Sequence, residues 1–308
     1  MKDPDNDFYL LGKLATNFEG KMLKIAMTML FPRLATLFRV KIVDEKVEQF
    51  FLDLVRNTIE LRDQQGIYRP DMIQLMMEAR NSSDLKKPEL SIQKMTAQAF
   101  IFFFAGFDTT SKLMCFDAHE IATNPEVQAR LQDEIDQVLE YYGEPTYEAI
   151  NNMQFLDAVI TEALRMYPAM IIADRLCTKG FELPPAAPRA KPYLLKPGSL
   201  VMLSTWAIHR DLEYFPEPDT FDPDRFLEDR RKTVNSVAYL PFGAGPRMCI
   251  GNRFALLEIK VMFYFHLLSK CSISPAKKMI LPMEIADSNT TLGAKSGFWL
   301  DILPRKKV

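Results

Sequence analysis

The stretch PFGAGPRMCIG, from Pro241 to Gly251, constrains the fold more than any other part of the chain. Its three glycines and two prolines suit neither a helix nor a strand, so the backbone there must form a shaped loop. An apolar helix is predicted to follow from Asn252, which places Cys249 just before a helix N-terminus. The free backbone N–H groups, the helix dipole and the cation of Arg247 all stabilise a thiolate at this position.

A thiolate in such a loop is either a nucleophile or a metal ligand. A nucleophile needs a nearby base, and no histidine of this chain has a recognisable partner in the sequence. The cysteines outside the loop are too far apart for a zinc pattern, and we expect them to be small buried hydrophobes. A metal held by one protein thiolate requires a cofactor that supplies the other ligands, as a porphyrin does. The histidines are His119, His209 and His266, and the other cysteines are Cys115, Cys177 and Cys271.

The loop has the spacing F-x-x-G-x-R-x-C-x-G, formed by Phe242, Gly245, Arg247, Cys249 and Gly251. This pattern resembles the haem-binding signature of the cytochromes P-450. Ordinary residue usage would produce it by chance on the order of once in ten thousand chains of this length. The resemblance implies that the Cys249 thiolate binds the iron of haem b and that the other four residues contact the cofactor. The alternative is a structural turn with an inert cysteine.

A second motif, TEALRMYP, places Glu162 and Arg165 three residues apart on one helix face. By itself such a pair is typical of a solvated surface ion pair. The motif resembles the family's E-x-x-R helix, and PDRF, residues 223–226, resembles the segment whose arginine completes the same ion network. The resemblance implies that Glu162, Arg165 and Arg225 are structural and do no chemistry.

A third motif, AGFDTT, interrupts an apolar helix with Gly106, which costs about 1 kcal/mol relative to alanine. By itself it indicates a kink whose hydroxyls bond back to the backbone. It resembles the bend where the family's long central helix opens beside the iron. The resemblance implies that Ala105 contacts the cofactor, that Thr109 donates a hydrogen bond to dioxygen and that Asp108 relays protons.

Arg175, in MIIADRLC, matches a family arginine that pairs with a haem propionate, and Arg247 would pair with the same carboxylates. A simple surface charge is the alternative for Arg175.

The 308 residues are 48% apolar and 25% charged with a net charge of −2, which indicates a globular protein and no basic field for nucleic acid. We predict a mainly α fold with a small β part, in a single domain 1–308 that resembles a partial cytochrome P-450 fold. The long central helix is expected at about 91–124 and the E-x-x-R helix at about 155–167. Other helices are predicted at 20–40 (broken at Pro32), 43–63, 71–80 and 125–141, strands at 199–208 and 297–304, and loops at 81–89 and 181–197.

The N-terminus is acidic and is not a signal peptide. The longest uninterrupted apolar run, 99–107, is too short to span a bilayer, so we expect no membrane crossing in this chain. Full-length family members are longer at the N-terminus, where they carry a membrane anchor and a W-x-x-x-R helix that grips the propionates. The chain therefore resembles the C-terminal portion of a family member. Trp206 and Arg210 have that spacing, but they follow the E-x-x-R helix in a strand-like run, so the role is not transferred to them.

The resemblance implies a haem-dependent monooxygenase that inserts one atom of O2 into a small apolar substrate. It is nearest to microsomal, xenobiotic-metabolising members of an insect type, on the cytoplasmic face of the endoplasmic reticulum membrane. Electrons would come from an NADPH-linked flavoprotein reductase, because the chain has no Gly-rich dinucleotide fingerprint. Arg253 and Lys260 are candidates for the docking surface. The alternatives are a haem-thiolate isomerase or dehydratase, which Thr109 argues against, and a non-catalytic or inactive haem-binding fragment.

Two apolar sets have both a functional and a structural interpretation. Met170–Ile172 and the phenylalanines at positions 103, 104 and 107 would line a substrate pocket, or they are core residues. Residues 20–40 would touch a membrane surface, as the family's entrance region does, or they form ordinary core helices.

Overall fold

The computed structural model describes residues 6–17, 20–81, 90–143, 146–286 and 292–305. The predicted loop at 81–89 lies outside these residues, apart from the backbone of Asn81. The chain forms two compact units, Met1–Asp108 and Thr109–Val308, and the boundary between them lies inside one long helix.

The first unit is helical in its described residues. A proline at the first position of α3 separates it from α2, because proline is tolerated in the first turn of a helix and not inside one. The C-terminus of α4 is closed by Gly66, whose φ of 62° is left-handed. The helices are α1 (Asp7–Thr16), α2 (Met22–Leu30), α3 (Pro32–Leu37), α4 (Glu45–Gln65), α5 (Met72–Asn81) and α6 (Ile92–Thr123), which continues into the second unit.

Aromatic packing holds the first unit together. Phe51 is buried in α4, and its ring lies 5.2 Å from that of Phe100 and 5.0 Å from that of Phe103, both on α6. Helix α1 approaches closely because it presents Gly12, where a Cβ atom would stand only 3.1 Å from the Phe103 and Phe107 rings. The phenylalanines expected in a substrate pocket therefore take part in this apolar packing.

The second unit combines helices with three two-stranded antiparallel sheets, β1–β4, β2–β3 and β5–β6. Its helices after α6 are α7 (Pro125–Tyr142), α8 (Tyr147–Asn151), α9 (Gln154–Met166), α10 (Thr205–Ile208), α11 (Glu228–Thr233) and α12 (Asn252–Val261). Its strands are β1 (Ile172–Leu176), β2 (Phe181–Leu183), β3 (Tyr193–Leu195), β4 (Leu200–Ser204), β5 (Cys271–Pro275) and β6 (Leu300–Pro304). Two 3₁₀ turns, Pro223–Phe226 and Gly245–Arg247, and a π-helix, Met262–Leu268, complete it.

The predicted fold class, mainly α with a small β part, is confirmed, but several local predictions were wrong. The strand predicted at 199–208 ends at Ser204, and the chain then turns into α10 with the Ser204 hydroxyl as its cap. The segment 181–197, predicted as a connection, contains the hairpin β2–β3. The π-helix and the short helices α8 and α11 were not predicted.

Helix α6 is longer and more apolar as a whole than its uninterrupted apolar run suggests. An 18-residue window of it reaches a mean hydropathy of 1.3, so by length and composition it could cross a membrane. This corrects the expectation that the chain holds no such segment. Core helices of soluble proteins pass the same test, so the finding assigns no membrane span.

Helix α9 lies at the centre of the second unit. Its side chains Leu156, Val159 and Ile160 are fully buried in the main apolar cluster. Its N-terminus lacks a side-chain cap of its own, and Glu134 from α7 supplies one. The carboxylate of Glu134 accepts hydrogen bonds from the backbone N–H groups of Phe155 and Leu156 at 2.8 and 2.9 Å. Because an anion at a helix N-terminus satisfies free donors and the dipole together, this contact fixes α9 against α7.

An ion pair buried in α9 joins the helix to the loops around it. Arg165 donates to the two carboxylate oxygens of Glu162 at 2.7 and 2.8 Å, and both side chains are 0% exposed. The Arg225 Nε atom lies 3.6 Å from the same carboxylate, and the backbone N–H of Asp222 donates to it at 3.1 Å. The spacing alone suggests a solvated surface ion pair. That interpretation is wrong, because both charges are inside the protein.

His209 completes this network, although no partner for it is recognisable in the sequence. Arg165 donates to the backbone carbonyl of His209 at 2.9 Å. The His209 Nε2 atom accepts from the backbone N–H of Leu240 at 2.8 Å, so the Nδ1–H donates to the carbonyl of Arg165 at 3.0 Å. Burial is the main cause that lowers the pKa of His209 to about 4, which keeps the ring neutral.

Glu162→Gln should destabilise the chain by about 3–5 kcal/mol, because it leaves the buried guanidinium of Arg165 without its anion. The measurement is urea unfolding followed by circular dichroism. Asp229→Asn is the matched control, because Asp229 and Lys232 have the same i,i+3 spacing and a 2.6 Å contact but are 93% and 78% exposed. Equal losses of unfolding free energy in the two variants would show that the buried pair stabilises the chain no more than the exposed pair does.

Asp117 on α6 is a buried carboxyl group without a visible partner. The residue is 0% exposed, and neither carboxylate oxygen has a hydrogen-bond partner. Burial raises the pKa of Asp117 well above its ordinary value, and the nearby charge of Glu120 raises it further. A carboxyl group with a raised pKa keeps its proton to a higher pH in the folded chain than in the unfolded chain.

Stability should therefore fall as the pH rises from the ordinary carboxyl range toward the raised pKa of folded Asp117. Asp117→Asn removes the titration, so its advantage in unfolding free energy over the parent should be small in acid and grow with pH. Urea unfolding at a series of pH values measures the difference, with the exposed Asp133→Asn as control. A constant difference across the series would mean that Asp117 does not titrate with folding.

Candidate functional site

The loop 241–251 is shaped by two left-handed glycines. Gly243 and Gly245 have φ values of 72° and 73°, and the Cβ position at each is open, with no atom within 4 Å. The N–H of Cys249 donates to the carbonyl of Phe242 at 2.9 Å, which closes the loop. Gly251 acts differently, because its φ is −90° and a Cβ atom there would stand 3.9 Å from the Cys249 Sγ atom. A Cβ atom at that distance would make an ordinary van der Waals contact with the sulfur.

Cys249 lies on the open side of this loop. It is exposed, and α12 begins three residues later, as the sequence predicts. Met248, Ile250 and Phe254 around it are 51%, 85% and 71% exposed, so an apolar surface surrounds the thiol. The exposed cation of Arg247 lies on the same turn. A thiol beside open apolar surface and an exposed cation suits a flat apolar cofactor that carries negative groups at its edge.

Phe242 holds the loop from the inner side. Its side chain is half-buried and packs against the main apolar cluster of the second unit, which includes Ile259 and Phe263. The sequence resemblance assigns Phe242 to the cofactor. The structure shows in addition that the ring anchors the loop to the core.

The ligand chemistry of the loop is that of a single thiol. Among the described residues, no group of three or more His, Cys, Asp or Glu side chains could hold a metal ion. A metal at Cys249 must therefore bring its other ligands, which a porphyrin does. The open Cβ positions of Gly243 and Gly245 and the apolar rim fit such a group.

The second predicted site lies on α6. Ala105 is exposed, while Asp108 and Thr109 are half-buried and Thr110 is 4% exposed. No atom lies within 4 Å of the Cβ position of Gly106, so there is open space beside the glycine. The helix nevertheless continues without a break from Ile92 to Thr123, so the expected opening is absent from this helix. A glycine alone weakens a helix without removing its backbone hydrogen bonds, which explains the difference.

Thr109 borders a small cavity of about 10 Å³ in the second unit. Phe116 and Tyr167 form part of its wall, and their rings stack at 4.2 Å. The Tyr167 hydroxyl donates to the carboxylate of Glu120 at 2.5 Å, deep in the interior. The cavity has room for roughly one water molecule beside the threonine.

Arg175 is exposed on β1, where its guanidinium donates to the carbonyl of Asp174 at 2.7 Å. The structure places no buried carboxylate beside it among the described residues, so its cation is available at the surface. Met170 and Ile172 nearby are 57% and 38% exposed, whereas Ile171 packs with the cluster around Met166 and Tyr167.

The strand-like environment predicted for Trp206 and Arg210 was wrong. Trp206 lies in α10, and the Arg210 guanidinium stacks on its ring at 3.3 Å. Arg210 also donates to the carbonyl of Met166 at 2.8 Å, and burial lowers its pKa to about 10. The pair stabilises the end of α9. This contact is a structural explanation for the W-x-x-x-R spacing of Trp206 and Arg210.

Lys260 is not at the surface, which corrects its assignment to a docking face. It is 4% exposed, and its Nζ atom lies 2.7 Å from Oδ1 of Asp157 on α9. Arg253 is exposed, as expected.

The cysteines outside the loop are less buried than expected. Cys115, Cys177 and Cys271 are half-buried and free. Burial raises the pKa of the Cys115 thiol, and the Cys177 thiol donates to the carbonyl of Lys179 at 3.1 Å. Cys249 is the most exposed of the four.

Comparison with known proteins agrees with this geometry. The family model described as Cytochrome P450 matches residues 7–298. The chain is 44% identical to Cytochrome P450 9e2 of Blattella germanica and 40% identical to Probable cytochrome P450 9f2 of Drosophila melanogaster, over 99% of its length in each case. It covers 59% and 60% of those two relatives, so it spans about three fifths of their length. The insect likeness inferred from the sequence is confirmed, and the chain belongs to the cytochrome P450 family, whose members bind haem b through a cysteine thiolate.

Proposed function

We propose that this chain forms the haem-thiolate part of a monooxygenase, with Cys249 as the ligand of the iron. The observation that carries the proposal is the exposed thiol of Cys249, held on a loop with left-handed glycines just before α12 and surrounded by apolar side chains. When bound, haem supplies the chemistry that activates dioxygen and transfers one oxygen atom to the substrate.

The protein residues bind and tune this group. The Cys249 thiolate would hold the group as the protein ligand of its iron, and a thiolate ligand would add electron density there. Phe242 holds the loop against the core. Arg247 and Arg175 are exposed cations suited to the propionates, because charge-assisted hydrogen bonds to carboxylates are among the strongest in proteins.

Residues of α6 handle the oxygen substrate and protons. Thr109 presents a hydroxyl beside a cavity of the size of one water molecule. Asp108, next to it and half-buried, brings protons from solvent to that hydroxyl. Ala105 and Gly106 keep the preceding turn small, which leaves open space along the helix.

The electrons come from a separate NADPH-linked flavoprotein reductase, as the resemblance to the family suggests. Arg253 is an exposed cation near Cys249 that would contact it. The substrate is a small apolar molecule and the role is in xenobiotic metabolism, as the resemblance to the family's insect members suggests.

The segment Met22–Phe38 supports contact with the surface of the endoplasmic reticulum membrane. Many of its apolar side chains are exposed, and basic residues lie within it and directly after it, as in helices that lie in a membrane interface. The exposed apolar residues include Leu23 (82%), Met29 (74%), Leu30 (72%), Leu37 (72%) and Phe38 (67%). The basic residues are Lys24, Arg33 and Arg39.

An isomerase or dehydratase of the haem-thiolate type is the second candidate. It needs neither a reductase nor a proton-delivering threonine, so Thr109 favours the monooxygenase. A chain that binds haem without turnover is the third. Product formation from O2, NADPH and reductase by the haem-loaded protein separates the three, because the second and third candidates give no oxygenated product.

Cys249→Ser should abolish the strongly red-shifted band of the reduced, carbon monoxide-bound haem protein, because a serine hydroxyl does not replace the thiolate. The absorption spectrum measures it, with Cys177→Ser as the control that keeps the band. If the band persists in the Cys249 variant, one of the other three cysteines is the ligand.

Thr109→Ala should uncouple turnover while leaving the fold intact, because alanine has the higher helix propensity and only one hydroxyl is lost. We expect less product, with continued NADPH consumption and more hydrogen peroxide. Ser111→Ala, which removes an exposed hydroxyl from the same helix, should keep normal coupling. A parallel fall of NADPH consumption and product, with normal haem reduction, would contradict proton delivery by Thr109.

A further inference from the structure

The position of Cys249 depends on the helix that follows it. Cys249 lies three residues before the start of α12, and its own loop side chains Met248 and Ile250 face solvent. Two backbone hydrogen bonds fix the loop. The N–H of Cys249 donates to the carbonyl of Phe242, and the N–H of Ala255 donates to the carbonyl of Gly251 at 2.9 Å. Any rotation or sliding of α12 is therefore transmitted to the thiolate.

Apolar packing alone does not fix α12 uniquely. Ile259 is fully buried, and Leu256, Leu257 and Val261 pack against the same cluster. Apolar contacts are non-directional, and such a face tolerates small shifts along its neighbour. A directional contact is needed to select one position of the helix.

Lys260 provides a directional contact. Its side chain is 5% exposed, and its Nζ atom lies 2.7 Å from Oδ1 of Asp157, which is 42% exposed. Asp157 belongs to the first turn of α9, the helix fixed by the Glu134 cap and by the Glu162–Arg165 pair. A buried ammonium group needs its anion, so α12 is held at the one position where Lys260 reaches Asp157.

We propose that Lys260 is a positioning residue for the Cys249 thiolate and acts through its ion pair with Asp157. The proposal rests on the function proposed above, since it assumes that Cys249 is the haem ligand. The pair ties the helix behind the ligand loop to α9, the helix that carries the buried Glu162–Arg165 pair. The lysine thus sets the place of the sulfur without touching the cofactor.

The ion pair also predicts an asymmetry between its two partners. Lys260→Met keeps the packing of the aliphatic stem and leaves Asp157 partly in water, so the loss of unfolding free energy should be small. Asp157→Asn leaves a buried ammonium group without an anion, which should destabilise the chain more. The double variant Asp157→Asn/Lys260→Met should resemble Lys260→Met alone.

Hydrogen exchange of the 308-residue chain tests the positioning without any cofactor. Lys260→Met should speed exchange of the Cys249 and Ala255 amides by about tenfold through local opening, while amides of α7 stay unchanged. Lys232→Met is the control, because Lys232 makes an exposed ion pair at a similar distance of 2.6 Å. The proposal would be overturned if exchange became faster at all amides alike, or if the exchange rates did not change.

The haem-loaded protein gives a second readout. Lys260→Met should lower the ratio of the thiolate band to the neutral-thiol band in the carbon monoxide spectrum by at least about threefold, because a ligand displaced by a fraction of an ångström binds less firmly. An unchanged ratio would overturn the proposal. If Cys249→Ser keeps the thiolate band, the proposed function has failed instead, so the two failures are distinguishable.

Discussion

The buried pair of Glu162 and Arg165 is the contact on which the second unit depends. Two opposite charges with 0% exposure are stable only when their hydrogen-bonding groups are satisfied. Arg165 therefore draws the carbonyls of His209 and Thr220 toward α9, and Glu162 draws in Arg225 and the backbone of Asp222. Two segments, one at His209 and one at residues 220–225, converge on one helix because one ion pair needs them.

The candidate site is connected to the same helix indirectly, through a hydrogen-bonded histidine and an ion pair. His209, oriented by Arg165, accepts from the backbone of Leu240, the residue just before the loop that carries Cys249. Behind that loop, Lys260 reaches Asp157 in the first turn of α9. The loop is thus connected to α9 on both sides, through a neutral imidazole before it and an ammonium group after it. The thiol itself stays exposed, because these contacts lie on the inner side.

The longer helices after residue 40 were predictable because their signals are local. Ser91 caps α6, with the N–H of Lys94 donating to its hydroxyl at 3.4 Å, and Asn124–Pro125 ends it, so the predicted 91–124 agrees closely with Ile92–Thr123. The strands were less predictable, because β1 and β4 are largely exposed and lack an alternation of buried and exposed residues. The loop motif indicated Cys249, whereas the partners of His209 lie 44 and 31 residues away and no local pattern encodes them. The burial of Lys260 could not be inferred for the same reason.

The exposed side of the ligand loop has a consequence for stability. Met248, Ile250 and Phe254 remain largely in water in the chain by itself. Covering apolar surface contributes about 25 cal/mol per Å², so a flat apolar cofactor on this face adds to the packing of the loop as well as to its chemistry. A ligand that binds the folded chain and not the unfolded one raises stability in proportion to the logarithm of its concentration. Retention of the cofactor and rigidity of the loop are therefore coupled, and the inner contacts through His209 and Lys260 determine how much order the loop has before the cofactor arrives.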